Sequence, residues 1–199
     1  MSLLILTGGS GSGKTTVAQE FAKHHPKLAD VYFFDSIGVP PPDEMVREFG
    51  SGEEWQRVKT MEWFGDLRSR MSSKPILFEG QMRLAFIHDA AKAAGITDYK
   101  AMLIDCDDKI CRDRLTIERG QPDLASDEMM SWASYLREEA RLRGDTIVDT
   151  SDATISKTVE SVRTSESATE TTENRIPKNC PPAVKFPFCD FMARRRYLN

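Results

Sequence analysis

Apolar residues fall along this chain in short unbroken runs, and most of the runs end on an acid. The runs are 3–6, 31–34, 75–78, 101–104 and 146–148. The last four are followed at once by Asp35, Glu79, Asp105 and Asp149. Runs that are continuous rather than alternating predict strands covered on both faces, as in a parallel sheet flanked by helices. The spacers are long enough for crossover helices. Helical spacing predicts helices over 14–24, 52–71, 83–94, 107–117, 127–143 and 153–162. Gly95 and Gly144 read as stops, and Trp55, Trp63 and Trp132 as core residues. The fold class is therefore α/β, a three-layer, doubly wound parallel sheet of five strands.

The pattern fades after Arg163. Residues 164–174 hold no large apolar side chain, too little to offset the cost of ordering, and read as a disordered Ser/Thr/Glu-rich linker. Residues 175–199 form a basic, aromatic tail with Phe186, Phe188, Phe191, Tyr197 and the run Arg194, Arg195, Arg196. The domain reading is thus 1–163, a linker, and a tail. Such a tail suits a nucleic-acid end or a partner, or has no fixed task.

Composition narrows the picture. A net charge of −4 argues against a protein built to coat nucleic acid. No apolar run approaches the length of a membrane span, and no basic flank precedes the first run as in a secretory signal. Cys106, Cys111, Cys180 and Cys189 form no C-x-x-C pair, so the expectation is a reduced, cytoplasmic protein with free buried thiols. His24, His25 and His88 lack metal-ligand spacing.

The strongest chemical signal follows the first strand. Gly8, Gly9, Ser10, Gly11, Ser12, Gly13, Lys14 and Thr15 match the phosphate-loop pattern G-x-x-x-x-G-K-[ST], with Thr16 beside them. A polyphosphate needs many backbone donors at close range. Glycines let the chain wrap tightly, and the next helix points its positive end at the anion. Lys14 then reaches the terminal phosphates, and Thr15 holds Mg²⁺.

Ligands of open α/β sheets bind beyond the carboxyl ends of the strands, where the acids stand. Asp35 suits a carboxylate that orients an acceptor hydroxyl and takes its proton, or an N-cap of the following turn. Glu79 suits Mg²⁺ or a substrate hydrogen bond, and Gly80 lets a ligand approach the backbone. Arg83 is a candidate clamp for an anionic group. The segment near 112–126 reads as a mobile lid. In it, Arg114 and Arg119 stabilise the transferring phosphoryl group, while Arg112 reads as solvated and paired with Asp113 or Glu118. Asp149, Thr150 and Ser151 form a short loop suited to a nucleotide base, and Asp152 reads as the cap of the last helix.

Together these residues resemble the small phosphate-loop kinases of the shikimate, gluconate, adenylate and chloramphenicol phosphotransferase type, related to polynucleotide 5′-kinases. The resemblance covers about 1–162. It rests on Gly8 to Thr15, Asp35, Glu79-Gly80, the segment Arg114…Arg119…Pro122, and Val148 to Ser151. It implies strand order 2-3-1-4-5, ATP and Mg²⁺ as cofactors, and an acceptor hydroxyl at Asp35. It also implies lid arginines over the phosphates and adenine beside 149–152. No acceptor motif of one member is legible, and the lid carries one residue more than the usual R-L-x-x-R. The primary expectation is an ATP-dependent kinase of a small hydroxyl-bearing substrate. The alternatives are a polynucleotide 5′-hydroxyl kinase and a nucleotide-binding regulatory module without transfer. Oligomeric state stays open.

Overall fold

The computed structural model describes residues 2–71 and 74–167. The tail and all of the linker beyond residue 167, with Cys180 and Cys189, lie outside the described residues. Five strands form one parallel sheet: β1 (Leu3–Thr7), β2 (Asp30–Phe33), β3 (Ile76–Glu79), β4 (Tyr99–Asp105) and β5 (Thr146–Asp149). The order is β2-β3-β1-β4-β5. Strand β1, which leads into the glycine-rich loop, is thus central, and chain order reverses beside it. That reversal opens the crevice in which such sheets bind ligands.

Among the described residues, seven α-helices cover the sheet: α1 (Lys14–His24), α2 (Pro42–Phe49), α3 (Gly52–Arg70), α4 (Leu84–Ala93), α5 (Asp108–Asp113), α6 (Asp127–Arg143) and α7 (Ile155–Ser167). Side chains alternate across a strand, so β1 feeds two cores. Leu3 and Ile5 join the larger one, with Phe34, Trp55, Phe64, Phe78, Leu103 and Trp132. Leu4 and Leu6 join the smaller one, with Val17, Phe21, Leu77, Met102, Val159 and Val162 under α1 and α7. All three tryptophans are buried.

The structure departs from the sequence expectations in four places. Helix α2 occupies a stretch where none is expected; Pro42 opens it, Asp43 and Glu44 sit in its first turn, and Gly50 ends it. The helix expected over 107–117 is α5, followed by a π-helical turn, Arg114–Glu118. Helix α7 is capped by Thr154, whose hydroxyl accepts from Lys157 N at 3.3 Å, rather than by Asp152. It runs to Ser167, so residues 164–167, placed in the linker, are helical. An Arg163–Glu160 pair and the Thr164 hydroxyl donating to Glu160 O carry the helix past Val162. Finally, Cys106 and Cys111 are not free thiols: they are joined in a disulfide. The turn from β4 into α5 brings their Cα atoms to 6.1 Å, within bonding reach, which their spacing alone does not reveal.

Candidate functional site

The phosphate loop connects β1 to α1 at the centre of the sheet's carboxyl edge. Gly11 (φ 82°) and Gly13 (φ 90°) take left-handed backbone that a Cβ would strain, and they turn the chain so that α1 starts at Lys14. Ser12 N donates to Gly9 O at 3.4 Å, and Val17 N to Gly13 O at 3.0 Å. Ser10, Ser12 and Lys14 are buried and Thr16 is half-buried.

Glu79 comes to this loop because β3 lies next to β1, with Leu6 in register with Glu79. The Thr15 hydroxyl donates to Glu79 Oε1 at 3.0 Å, and Lys14 Nζ lies 3.9 Å from the same oxygen. Lys14 Nζ also donates to Gly9 O at 3.4 Å. Two hard oxygen donors thus stand together beside an ammonium. That donor set fits Mg²⁺, which takes one or two protein oxygens and completes its shell with phosphate and water. Thr15 and Glu79 are the residues that would hold it.

On the other flank, Phe33 of β2 is also in register with Glu79. Asp35 therefore stands just beyond the same edge, in the 3₁₀ turn Phe34–Ile37, closed by Gly38 N donating to Asp35 O at 3.0 Å. Two contacts fix this turn. Trp63 Nε1 donates to Phe34 O at 3.3 Å, and Phe34 packs edge-on against Trp55. Gly80 serves this packing directly: a Cβ there would lie 2.4 Å from Phe34 Cβ. The close approach that Gly80 permits is to Phe34.

Arg83 lies in the segment joining β3 to α4. It is buried, paired with Glu53 at 2.8 Å, and its guanidinium faces the rings of Phe86, Trp132 and Tyr135 at 5.2–5.5 Å. Gln56 of α3 clamps this segment, donating to Gln81 O at 2.7 Å and accepting from Arg83 N at 3.3 Å. Gln81 in turn accepts from the Ser10 hydroxyl at 3.4 Å. Thr7 and Met82 exchange hydrogen bonds at 2.6 and 3.0 Å. Gln56 and Gln81 carry no motif, so sequence reasoning missed them. The one available signal was a glutamine directly after Glu79-Gly80.

The two arginines expected in a lid divide. Arg114 spans the site: it donates to Gly11 O at 3.4 Å, to the Thr150 hydroxyl at 3.0 Å and to Thr150 O at 2.7 Å. Arg119 ends the π-helical turn on the exposed surface, its N–H donating to Arg114 O at 3.0 Å. Arg112 pairs with Asp127 at 2.6 Å rather than with Asp113 or Glu118.

Thr150 is buried and donates to Ser12 O at 2.9 Å or Asp105 O at 3.0 Å, so it ties the phosphate loop to β4 and β5. Asp149 Oδ1 accepts from Ser151 N and Oγ at 2.8 and 2.6 Å, which lowers its pKa below the usual carboxylate value. Ser151 Oγ accepts from Asp107 N at 2.8 Å. Arg137, another residue without a motif, grips Asp105 with two bonds (2.5 and 3.1 Å) and raises its own pKa further.

Glu139 of α6 is buried and accepts from Leu84 N and Ala85 N at 2.9 and 3.1 Å, capping α4. Burial raises its pKa, and this outweighs the Ala85 bond, the Arg143 charge and the Leu84 bond. None of the described helices is long and apolar enough to cross a membrane.

Comparison with known proteins agrees with this geometry. A family model described as an AAA domain matches residues 4–131. No curated protein matches the chain. Among solved structures, a gluconokinase from Sinorhizobium meliloti is 15% identical, with TM-score 0.56 over 83% of this chain and 91% of that one. A sugar kinase from a Janibacter species is 16% identical, with TM-score 0.58 over 82% and 93%. A shikimate kinase from Acinetobacter baumannii, in complex with shikimate, is 14% identical, with TM-score 0.53 over 81% and 90%.

Proposed function

From the premise that this chain belongs to the AAA-domain family and has the fold of the small phosphate-loop kinases, we propose that it moves the γ-phosphoryl group of ATP to a hydroxyl of a small-molecule acceptor. The observation that carries the reading is the convergence of Thr15, Lys14 and Glu79 at the centre of the carboxyl edge. Asp35 stands beyond the neighbouring strand on that edge.

In this reading, Lys14 and the amides of Gly8 to Thr16 hold the β- and γ-phosphates. Thr15 and Glu79 would hold Mg²⁺, which would supply charge neutralisation at the phosphates. Asp35 orients the acceptor hydroxyl and takes its proton as the new O–P bond forms, and ADP leaves with the bond's electron pair. Arg114 holds the loop in shape and, with Arg119, stabilises the transferring group. Arg83 bounds the acceptor side, and Gly80 acts through the packing of Phe34 beside Asp35. Asp149, Thr150 and Ser151 border the base.

The test is acceptor-dependent ADP release with Mg-ATP across a panel of sugars, hydroxy acids, nucleosides and antibiotics. A phosphorylated product is expected. Asp35→Asn should abolish transfer while ATP still binds, and Lys14→Ala should weaken ATP binding. Transfer undiminished in Asp35→Asn would overturn the role of that carboxylate. No product with any acceptor would favour a binding module.

A further inference from the structure

Behind the phosphate loop lies a covalent link for which phosphoryl transfer has no use. Cys106 directly follows β4, Cys111 lies in α5, and the two are bonded. Asp107 between them caps α5 by accepting from Lys109 N at 2.8 Å. The pair is buried against the loop itself. A Cβ on Gly11 would lie 2.9 Å from Cys111 O, 3.3 Å from Cys111 Cα and 3.1 Å from Leu115 Cγ. Cys106 Sγ lies 3.8 Å from Gly11 O. Three residues beyond Cys111, Arg114 reaches Gly11 O and Thr150. The helix that floors the phosphate loop is thus bonded to the end of the strand beside it.

As a staple this bond contributes less than one that closes a long loop, because the entropy removed from the unfolded chain grows with the logarithm of loop length and here the partners are five residues apart. Its position is what sets it apart. We propose that Cys106–Cys111 is a redox-modification site that sets the phosphate loop's affinity for a nucleoside triphosphate. This rests on the nucleotide-binding half of the reading above and is independent of the acceptor.

The step is thiol–disulfide exchange with a dithiol. A thiolate attacks one sulfur, the Cys106–Cys111 bond breaks, and a mixed disulfide forms. The second thiol resolves it. Two electrons and two protons pass to Cys106 and Cys111, which become thiols, and the dithiol leaves as its own disulfide. Two unbonded sulfurs need separate van der Waals room, and the space around them is already packed. Helix α5 yields, because it is only six residues long and runs into a turn with an exposed end. Its movement withdraws the floor under Gly11 and shifts Arg114. Opening of the same short element gives the dithiol access.

The test compares full-length protein purified without reductant with the same protein after dithiothreitol, using peptide mapping to locate the bond and calorimetry to read ATP affinity. Reduction should raise the Kd for ATP at least about fivefold, and reoxidation should restore it. The doubly substituted variant Cys106→Ser, Cys111→Ser should bind like the reduced protein and ignore dithiothreitol. If that variant does not fold, the oxidised and reduced wild-type chains decide alone. Equal affinity with the bond verifiably cut would overturn the proposal. So would free thiols at both positions in protein never exposed to reductant, or a response that persists in the variant. If the kinase reading is what fails, redox-dependent ATP binding remains and no acceptor is phosphorylated.

Discussion

Replacing Gly80 with alanine separates the placement of Asp35 from the binding of ATP. The new Cβ would lie 2.4 Å from Phe34 Cβ. Reaching a contact of about 3.4 Å, close to ordinary carbon–carbon packing, requires Phe34 and Gly80 to part by about 1 Å. Phe34 cannot absorb this by turning its ring, because the atom struck is Cβ. Its carbonyl is held by Trp63, and its ring is wedged against Trp55 and Phe78. The displacement therefore passes along the backbone to Asp35, the next residue. A misplacement of about 1 Å at a reacting group costs on the order of a hundredfold in rate. Overpacking costs about 1–3 kcal/mol of stability, or about 2–4 °C of Tm per kcal/mol in a chain of this size. Gly80→Ala should thus lose on the order of a hundredfold in kcat with an identified acceptor, melt earlier, and keep its ATP affinity by calorimetry. Gly65→Ala is the control: its Cβ meets nothing within 4 Å in the middle of α3, so helix propensity predicts equal or greater stability. Wild-type kcat in folded Gly80→Ala would refute the link from Gly80 through Phe34 to Asp35. A parallel loss of ATP affinity would refute the separation of the two sites.

Three further outcomes follow from the site. Glu79→Gln keeps an oxygen for the Thr15 hydroxyl but removes the charge beside Lys14; transfer should fall about a hundredfold or more, with a weaker apparent Mg²⁺ affinity in a metal titration. Arg114→Lys replaces a fork that touches Gly11 and Thr150 with one ammonium, and the Kd for ATP should rise about tenfold by calorimetry. The buried Glu139 has a raised pKa, so the folded state keeps this proton at a pH where the unfolded chain has lost it. Its contribution to stability is fully present below the ordinary glutamate value and declines as pH rises through the raised one. The Tm of wild type minus that of Glu139→Gln should accordingly fall with rising pH across that window and then level off; a flat difference would contradict it.

The sheet was legible because each strand is a separate apolar run, and the strand order followed from the resemblance those residues carry. The phosphate loop was legible because its demand on glycine is local. Helix α2 carried no expectation: it is only eight residues long and follows Pro40 and Pro41, although Pro42 suits a first helical position. The Cys106–Cys111 bond, the Gln56 clamp and the Glu139 cap depend on elements meeting in space, and no periodicity encodes that. Arg114 and Arg119 looked alike in the sequence. Only folding turns one toward Thr150 and leaves the other on the surface.

The smaller core sets a practical limit on where this chain can be shortened. The family match ends at residue 131, yet Val159 and Val162 of α7 close over Leu4, Leu6 and Phe21. A fragment trimmed to the matched region would present that greasy face to solvent and strip Thr150 from Ser12. Such a fragment should aggregate on expression, and an expression boundary placed beyond Ser167 avoids this.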